Sequence, residues 1–330
     1  MLAGLSLLCL SPLTQAAEQP WQTIQLGSTD PYAFGVFSNV DVQHPPATLQ
    51  RAVILIHGIK RNADVYYKAG TQLLKNAGLN AENTLFFAPN FLTDEDSRSS
   101  RDMPLWPASK WMHGTDSEYG RKGILAFQVL DDMVAYLSDR QRFPAMREIV
   151  FMGHSAGGQL MQRYSVLGSG DRLLQERGVS IRYVVSSPSS YVYFDENRLQ
   201  GDTFAPVLTV MCPSYNHYRY SLDKAPAYFT GQKLSVEQTF RRYAARNVTY
   251  MVGEHDNNPK AGVMDRSCGA ATQGDSRVRR QLNYMKYEQF LAARWQVAIN
   301  HRQFQVQGVG HDAFTLYAKP QVAAALFPAH

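Results

Sequence analysis

The stretch with the clearest chemical signature is Glu148–Gln159, written EIVFMGHSAGGQ. It opens as a short apolar run, breaks into Gly153-His154-Ser155-Ala156-Gly157, and leads into a helix-compatible pattern. A serine between two glycines, after a buried strand and before a helix, is typical of a nucleophile on a very tight turn. Glycines leave room around such a turn, and the free N–H groups that begin the helix point at the reaction centre. The pattern predicts that Ser155 is a nucleophile.

Two further motifs accompany this one. Leu55-Ile56-His57-Gly58 lies upstream, and Gly310-His311-Asp312 lies near the C-terminus. Together with GHSAGG they resemble the α/β-hydrolase superfamily, over a span from about Ala52 to Phe314. The resemblance implies a mostly parallel central sheet with helices on both faces and a serine hydrolase of the secreted esterase, lipase or polyester-depolymerase type. It leaves the substrate open.

A serine hydroxyl is a weak nucleophile at neutral pH, so it needs a general base, and the base needs an orienting acid. The superfamily supplies them in the chain order serine, acid, histidine, each after a strand. Asp256 follows the apolar run VTYMVG, and His311 follows QFQVQGVG. We therefore expect a triad of Ser155, Asp256 and His311, with Glu254 as the nearest rival for the acid.

The oxyanion that develops during acyl transfer needs two hydrogen-bond donors. The resemblance implies that one is the backbone N–H of Ala156, directly after the serine, and that the other lies in the loop after the first parallel strand. We expect the N–H of Ile59 there, next to Gly58. The glycine-rich HGGG form of this loop is absent. His57 is expected to be structural.

The elements that position these residues alternate between strand and helix, which predicts a mostly parallel sheet. An antiparallel N-terminal pair is expected within 21–40. Further strands are expected at 51–57, 84–88, 149–152, 181–186, 248–253 and 304–309, and helices at 65–77, 124–137, 235–245, 285–299 and 313–326.

Two irregular regions interrupt this alternation, Thr93–Gly120 and an insertion at about 187–247 that is placed like a lid. Both are rich in aromatic residues. Trp106, Trp111 and Tyr191 therefore suggest an apolar or aromatic substrate cleft, although aromatic side chains at this density also occur in ordinary packed loops.

The first residues are uncharged and apolar, and Thr14-Gln15-Ala16 before Ala17 fits a small-residue cleavage site. We expect residues 1–16 to be a signal peptide and 17–330 to form one α/β-hydrolase domain in the periplasm or outside the cell. Of the 3 cysteines, cleavage leaves Cys212 and Cys268. An even count in an exported chain indicates a disulfide; two buried free thiols are the alternative.

The chain has 45% hydrophobic and 18% charged residues, which is ordinary globular composition. Its net charge of +5 is scattered and no nucleic-acid recognition motif accompanies it; a mild attraction to anionic surfaces or substrates fits. No metal, cofactor or membrane span is expected, and the partner is a small or polymeric ester. The hypothesis is an exported hydrolase of carboxylic esters. An acyltransferase with the same triad and an inactive binding module on this fold are the alternatives.

Overall fold

An eight-stranded sheet runs through the computed structural model, which describes residues 20–328 except 209 and 211. With strands numbered along the chain, the order across the sheet is β1 (Trp21–Leu26), β2 (Tyr32–Ser38), β4 (Thr84–Pro89), β3 (Arg51–Ile56), β7 (Glu148–His154), β8 (Ser180–Ser186), β11 (Asn247–Gly253) and β12 (Arg302–Val306). β1 and β4 run antiparallel to β2, and all other neighbours are parallel. The predicted mostly parallel sheet is confirmed.

The remaining elements surround this sheet or lie in its connections. The helices are α1 (Ala63–Asn76), α2 (Ala126–Leu137), α3 (Ala156–Leu167), α4 (Asp171–Arg177), α5 (Ala227–Thr230), α6 (Val236–Ala244), α7 (Cys268–Ala271), α8 (Arg277–Trp295), α9 (Ala313–Tyr317) and α10 (Pro320–Leu326). Two short ribbons pair β5 (Pro104–Leu105) with β6 (Tyr119–Gly120) and β9 (Asn197–Gln200) with β10 (Thr203–Pro206), and Lys110–His113 is a 3-10 helix.

Both faces of the sheet are buried, which explains why its central strands are continuous apolar runs. In β7, Ile149 and Phe151 pack into the core on one face, while Val150 and Met152 pack into the core on the other. Since side chains alternate along a strand, this pattern requires helices on both sides, as the sequence predicted. None of the helices in the described part of the chain combines the length and the apolar character needed to cross a bilayer.

Most predicted elements agree with the observed ones to within two residues, and three differ more. The helix expected at 285–299 begins at Arg277, after Ser276, whose side chain accepts a hydrogen bond from the N–H of Arg279. The helix expected at 313–326 is two helices, because Pro320 begins α10 where a proline lacks the N–H needed to continue α9. The last strand ends at Val306. The predicted signal peptide lies outside the described residues.

Candidate active site

Ser155 lies on a sharp turn between β7 and α3. Its backbone is strained, with φ 58° and ψ −114°, a conformation that a residue with a side chain rarely adopts. The neighbouring glycines explain how the turn is accommodated: a Cβ on Gly153 would lie 2.1 Å from the carbonyl oxygen of Gly157, and one on Gly157 would lie 2.4 Å from that of Ile56. The turn therefore needs both glycines, as the sequence motif indicated.

A continuous chain of hydrogen bonds joins this serine to two distant parts of the sequence. Nε2 of His311 lies 2.9 Å from Oγ of Ser155. Nδ1 of the same ring lies 2.7 Å from Oδ2 of Asp256. The structure thus brings together the three residues predicted as a triad, with a carboxylate on one ring nitrogen and the hydroxyl on the other. In this geometry Nδ1–H donates to the carboxylate and Nε2 accepts from the serine.

The second oxygen of Asp256 is held by Arg277, which the sequence analysis did not identify. Nη1 of Arg277 donates to Oδ1 of Asp256 at 3.1 Å, and Nη2 donates to the carbonyl oxygen of Val263 at 2.9 Å. Both partners of this ion pair are buried, with side-chain exposures of 0% and 3%. Arg277 therefore fixes the carboxylate and links it to the loop that carries Val263.

The electrostatics favour an ionised acid. Burial alone would raise the pKa of Asp256, but the hydrogen bond from His311 and the charges of His311 and Arg277 outweigh burial and lower it. Burial, with a smaller contribution from the charge of His311, holds the pKa of His154 well below its ordinary value although Asp256 raises it, so His154 remains neutral. Its Nδ1 lies 3.0 Å from Oγ of Ser186, so it serves as packing behind the serine.

The loop after β3 approaches the serine from the other side. A Cβ on Gly58 would lie 3.5 Å from Cβ of Ser155. In the described part of the chain, the backbone N–H groups of Ile59 and Ala156 have no protein acceptor. Both residues line the cleft at Ser155. Both N–H groups are thus available for the oxyanion role, which stays a prediction. His57 is buried and accepts from the N–H of Phe91 at 3.0 Å, a structural role as predicted.

Two connected depressions meet at Ser155. One, of about 450 Å³, also contains Gln159, Arg219 and Arg266, and is called the arginine lobe below. The other, of about 220 Å³, contains His311 and is called the histidine lobe. Val263 borders both. A substrate whose reacting carbon sits at Ser155 would therefore extend in two directions.

Comparison with known proteins agrees with this architecture. No family model and no curated protein sequence matches the chain. Among solved structures, a poly(aspartic acid) hydrolase from Sphingomonas sp. KT-1 is similar over 93% of this chain and 98% of its own, with a TM-score of 0.62 and 18% identity. A poly(3-hydroxybutyrate) depolymerase from Bordetella parapertussis is similar over 93% and 90%, with a TM-score of 0.63 and 18% identity. This chain has the α/β-hydrolase fold.

The loop after β11 carries both Asp256, which is expected to be the acid, and its rival Glu254. The structure separates the two residues. Glu254 is exposed, and its Oε2 accepts from the N–H of Gly308 at 2.9 Å, while Asp256 is buried against His311. Glu254 therefore supports the loop that precedes His311, whereas Asp256 contacts the histidine itself.

The aromatic residues expected in the cleft lie elsewhere, and this expectation is corrected. Trp106, Trp111 and Tyr191 are each 0% exposed. Trp111 stacks on Phe91 with ring centroids 5.1 Å apart, and Tyr191 stacks on Tyr284 at 4.6 Å. Their loops fold back onto the core, so these large rings fill the interior rather than contact a ligand. The cleft at Ser155 is instead lined by a mixture of polar or charged side chains, including Gln159, Arg219 and Arg266, and smaller apolar ones such as Met112 and Val263.

Cys212 and Cys268 form a disulfide with Cα atoms 5.8 Å apart, the pairing that the even count favoured. It joins the connection that follows β10 to the start of α7, next to the arginine lobe. Across the described residues, no three His, Cys, Asp or Glu side chains are grouped as metal ligands would be.

Proposed function

We propose that this protein is an exported serine hydrolase that cleaves carboxylic esters through an acyl-enzyme. The observation that carries the proposal is the hydrogen-bonded series from Ser155 through His311 to Asp256, with the serine on a strained turn. A histidine that contacts a serine hydroxyl and is held from behind by a buried carboxylate is the arrangement that activates a serine nucleophile, and an ordinary surface serine lacks it.

Each group has a role in this reaction. Oγ of Ser155 attacks the ester carbonyl while Nε2 of His311 takes its proton. Asp256 stabilises the resulting imidazolium, and the N–H groups of Ile59 and Ala156 stabilise the oxyanion. His311 then protonates the departing alcohol, and a water activated by the same histidine releases the acid from Ser155.

Two further observations support the wider proposal. The two similar structures are a poly(aspartic acid) hydrolase and a poly(3-hydroxybutyrate) depolymerase, so a polymeric or oligomeric substrate suits a cleft that extends on both sides of the serine. The disulfide fits an oxidising compartment, in agreement with the leader expected at residues 1–16.

The test compares wild type with Ser155→Ala in ester hydrolysis and in labelling by a fluorophosphonate. Wild type should be labelled at Ser155, and the variant should lose both labelling and activity, by a factor on the order of 10⁴ or more in kcat. Circular dichroism should show an intact fold. A folded variant that retains esterase activity would exclude Ser155 as the nucleophile.

A further inference from the structure

Arg163 is a buried cation directly beneath the arginine lobe. It lies on α3, is fully buried, and donates to the carbonyl oxygen of Met112 at 3.0 Å, to Oε1 of Gln159 at 3.3 Å and to Oγ of Ser190 at 3.1 Å. All three acceptors are neutral. Burial lowers the pKa of Arg163 to about 10, so it still carries its charge at neutral pH. A buried charge without a carboxylate in contact is costly, and its field reaches the lobe through Gln159 and Met112, which line the lobe.

Arg219 forms part of the wall of the lobe and is held in place from behind. Its Nη1 donates to Nε2 of His113 at 2.6 Å, its Nη2 to Oδ2 of Asp265 at 3.2 Å, and its Nε to the hydroxyl of Tyr220 at 3.0 Å. Burial and the charges of Arg163 and Arg219 lower the pKa of His113 to about 2, so His113 accepts as a neutral ring. About a third of the Arg219 side chain (32%) remains exposed.

Arg266 adds a second cation to the same wall. It is exposed, and its Nη2 donates to the carbonyl oxygens of Lys260 and Ala261 at 3.1 and 3.2 Å. Among the described residues, no carboxylate lies within ion-pair distance of it. The disulfide between Cys212 and Cys268 fastens together the two segments that carry Arg219 and Arg266.

The charges of the two lobes differ. Among the described residues that line the arginine lobe, Arg219 and Arg266 are accompanied by one carboxylate, Asp265, and the buried Arg163 behind the lobe adds a further positive charge. In the histidine lobe, Lys60 and Asp312 offset one another. The proposed reaction indicates which part of the substrate lies in each lobe. Because His311 must protonate the departing alcohol, the alcohol part belongs in the histidine lobe. The acyl part then extends past Ala156 into the arginine lobe.

We propose that the arginine lobe binds an acyl chain that carries a carboxylate, so that the preferred substrates are esters of dicarboxylic or polycarboxylic acids. The proposal rests on the function proposed above and adds the charge class of its substrate. Arg219 and Arg266 contact the distal carboxylate, since a guanidinium donates two parallel hydrogen bonds to such a group. Arg163 contributes through its field, without contact.

The experiment measures kcat/KM for a matched pair of 4-nitrophenyl esters, the adipic acid half-ester and its neutral terminal carboxamide. Both have the same length, and both can hydrogen bond at the distal end, so only the charge differs. Wild type should prefer the carboxylate by about 10-fold or more. Arg266→Gln should reduce that preference, and Arg266→Glu should abolish it, because kcat/KM for the carboxylate ester falls much more than kcat/KM for the carboxamide. Because Arg266 is exposed, added salt should also weaken the preference.

Arg302→Gln is the matched control, because it removes an exposed arginine at the opposite end of the sheet. It should leave the ratio of the two esters as in wild type. Equal rates for the two esters in wild type, or an unchanged ratio in Arg266→Glu, would overturn the carboxylate site while leaving the hydrolase proposal intact. If neither ester is cleaved and Ser155 is not labelled, the hydrolase proposal fails, and the carboxylate preference fails with it.

Discussion

At the scale of single residues, the candidate site is a series of four side chains rather than three. Ser155, His311 and Asp256 follow the expected chain order, and Arg277 completes the series on the far oxygen of the carboxylate. Arg277 matters to Asp256 because burial without a neighbouring positive charge would raise the pKa of this carboxyl group. Arg277 also joins Asp256 to the loop of Val263, which borders both lobes of the cleft.

Replacing Arg277 with Gln should therefore change the pH dependence as well as the rate. The lowered pKa of Asp256 means that its contribution is present above the unfolded value and is lost as pH falls through the folded value. Without Arg277 the folded pKa rises, so activity and stability should begin to fall at a higher pH on the acid side, and kcat/KM at neutral pH should drop roughly 10-fold. The measurement is kcat/KM from pH 4 to 9, in steps of about 0.5.

Arg277→Lys is the companion variant, since it keeps the charge but cannot hold both Asp256 and Val263. On the acid side of the pH profile, kcat/KM of this variant should fall at nearly the same pH as in wild type, while its kcat/KM at neutral pH should recover less. An acid limb in Arg277→Gln that overlays that of wild type would show that Arg277 is only a structural residue.

The sequence predicted the contacts that a motif encodes and missed those that depend on packing. Ser155, Asp256 and His311 each follow an apolar run, so the end of a predicted strand placed them at one edge of the sheet. Arg277 lay in a segment that looked merely polar, and only the fold brings it to Asp256. A helix N-cap at Ser276 was the one available signal. Trp106 shows the converse: sequence cannot distinguish a loop tryptophan that lines a cleft from one that folds back onto the core.

At the scale of elements, the site depends on how closely α3 approaches the end of β3. Gly157 makes this possible, because a Cβ there would lie 2.4 Å from the carbonyl oxygen of Ile56 and 2.6 Å from that of His57. Both obstacles are backbone carbonyl oxygens, one on the last residue of β3 and one directly after it, so the helix must move rather than the central strand. Ser155 and Ala156 lie at the start of that helix and would move with it.

Gly157→Ala should accordingly lower kcat by more than the loss of folded protein alone would explain. A displacement on the order of 1 Å at a reacting group costs about 10²-fold in rate, so we expect at least that loss in kcat, together with a lower Tm. Gly201→Ala is the control: φ is +60° there, but no atom lies within 4 Å, so it should cost roughly 1–2 kcal/mol of stability and no activity. Full activity in a folded Gly157→Ala protein would contradict the close approach.

At the scale of the whole molecule, the ends of the strands position the serine, the acid and the histidine that follow them, while the longer connections supply the cleft wall. Arg219 belongs to the connection between β8 and β11, and Arg266 belongs to the one between β11 and α8. These two segments are far apart in sequence, and the disulfide is the covalent link between them, with a sequence separation of 56. Tyr220 packs against Gly269 at the start of α7 and adds a noncovalent contact at the same place.

Replacing both cysteines with serine should therefore lower the stability and the substrate selectivity while the reactivity of Ser155 persists. Closing a loop of this length stabilises the fold by about 4 kcal/mol in the chain-entropy model, so Tm should fall clearly. The two arginine-bearing segments would lose their link, so the preference for the carboxylate half-ester should shrink. Ser155 and His311 lie outside both segments, and Asp256 is held by Arg277 and His311 as well as by its own loop, so fluorophosphonate labelling at low temperature should persist. Reduction of the wild type under native conditions should give the same three results. If selectivity is unchanged while Tm falls, the bond stabilises the chain without shaping the arginine lobe.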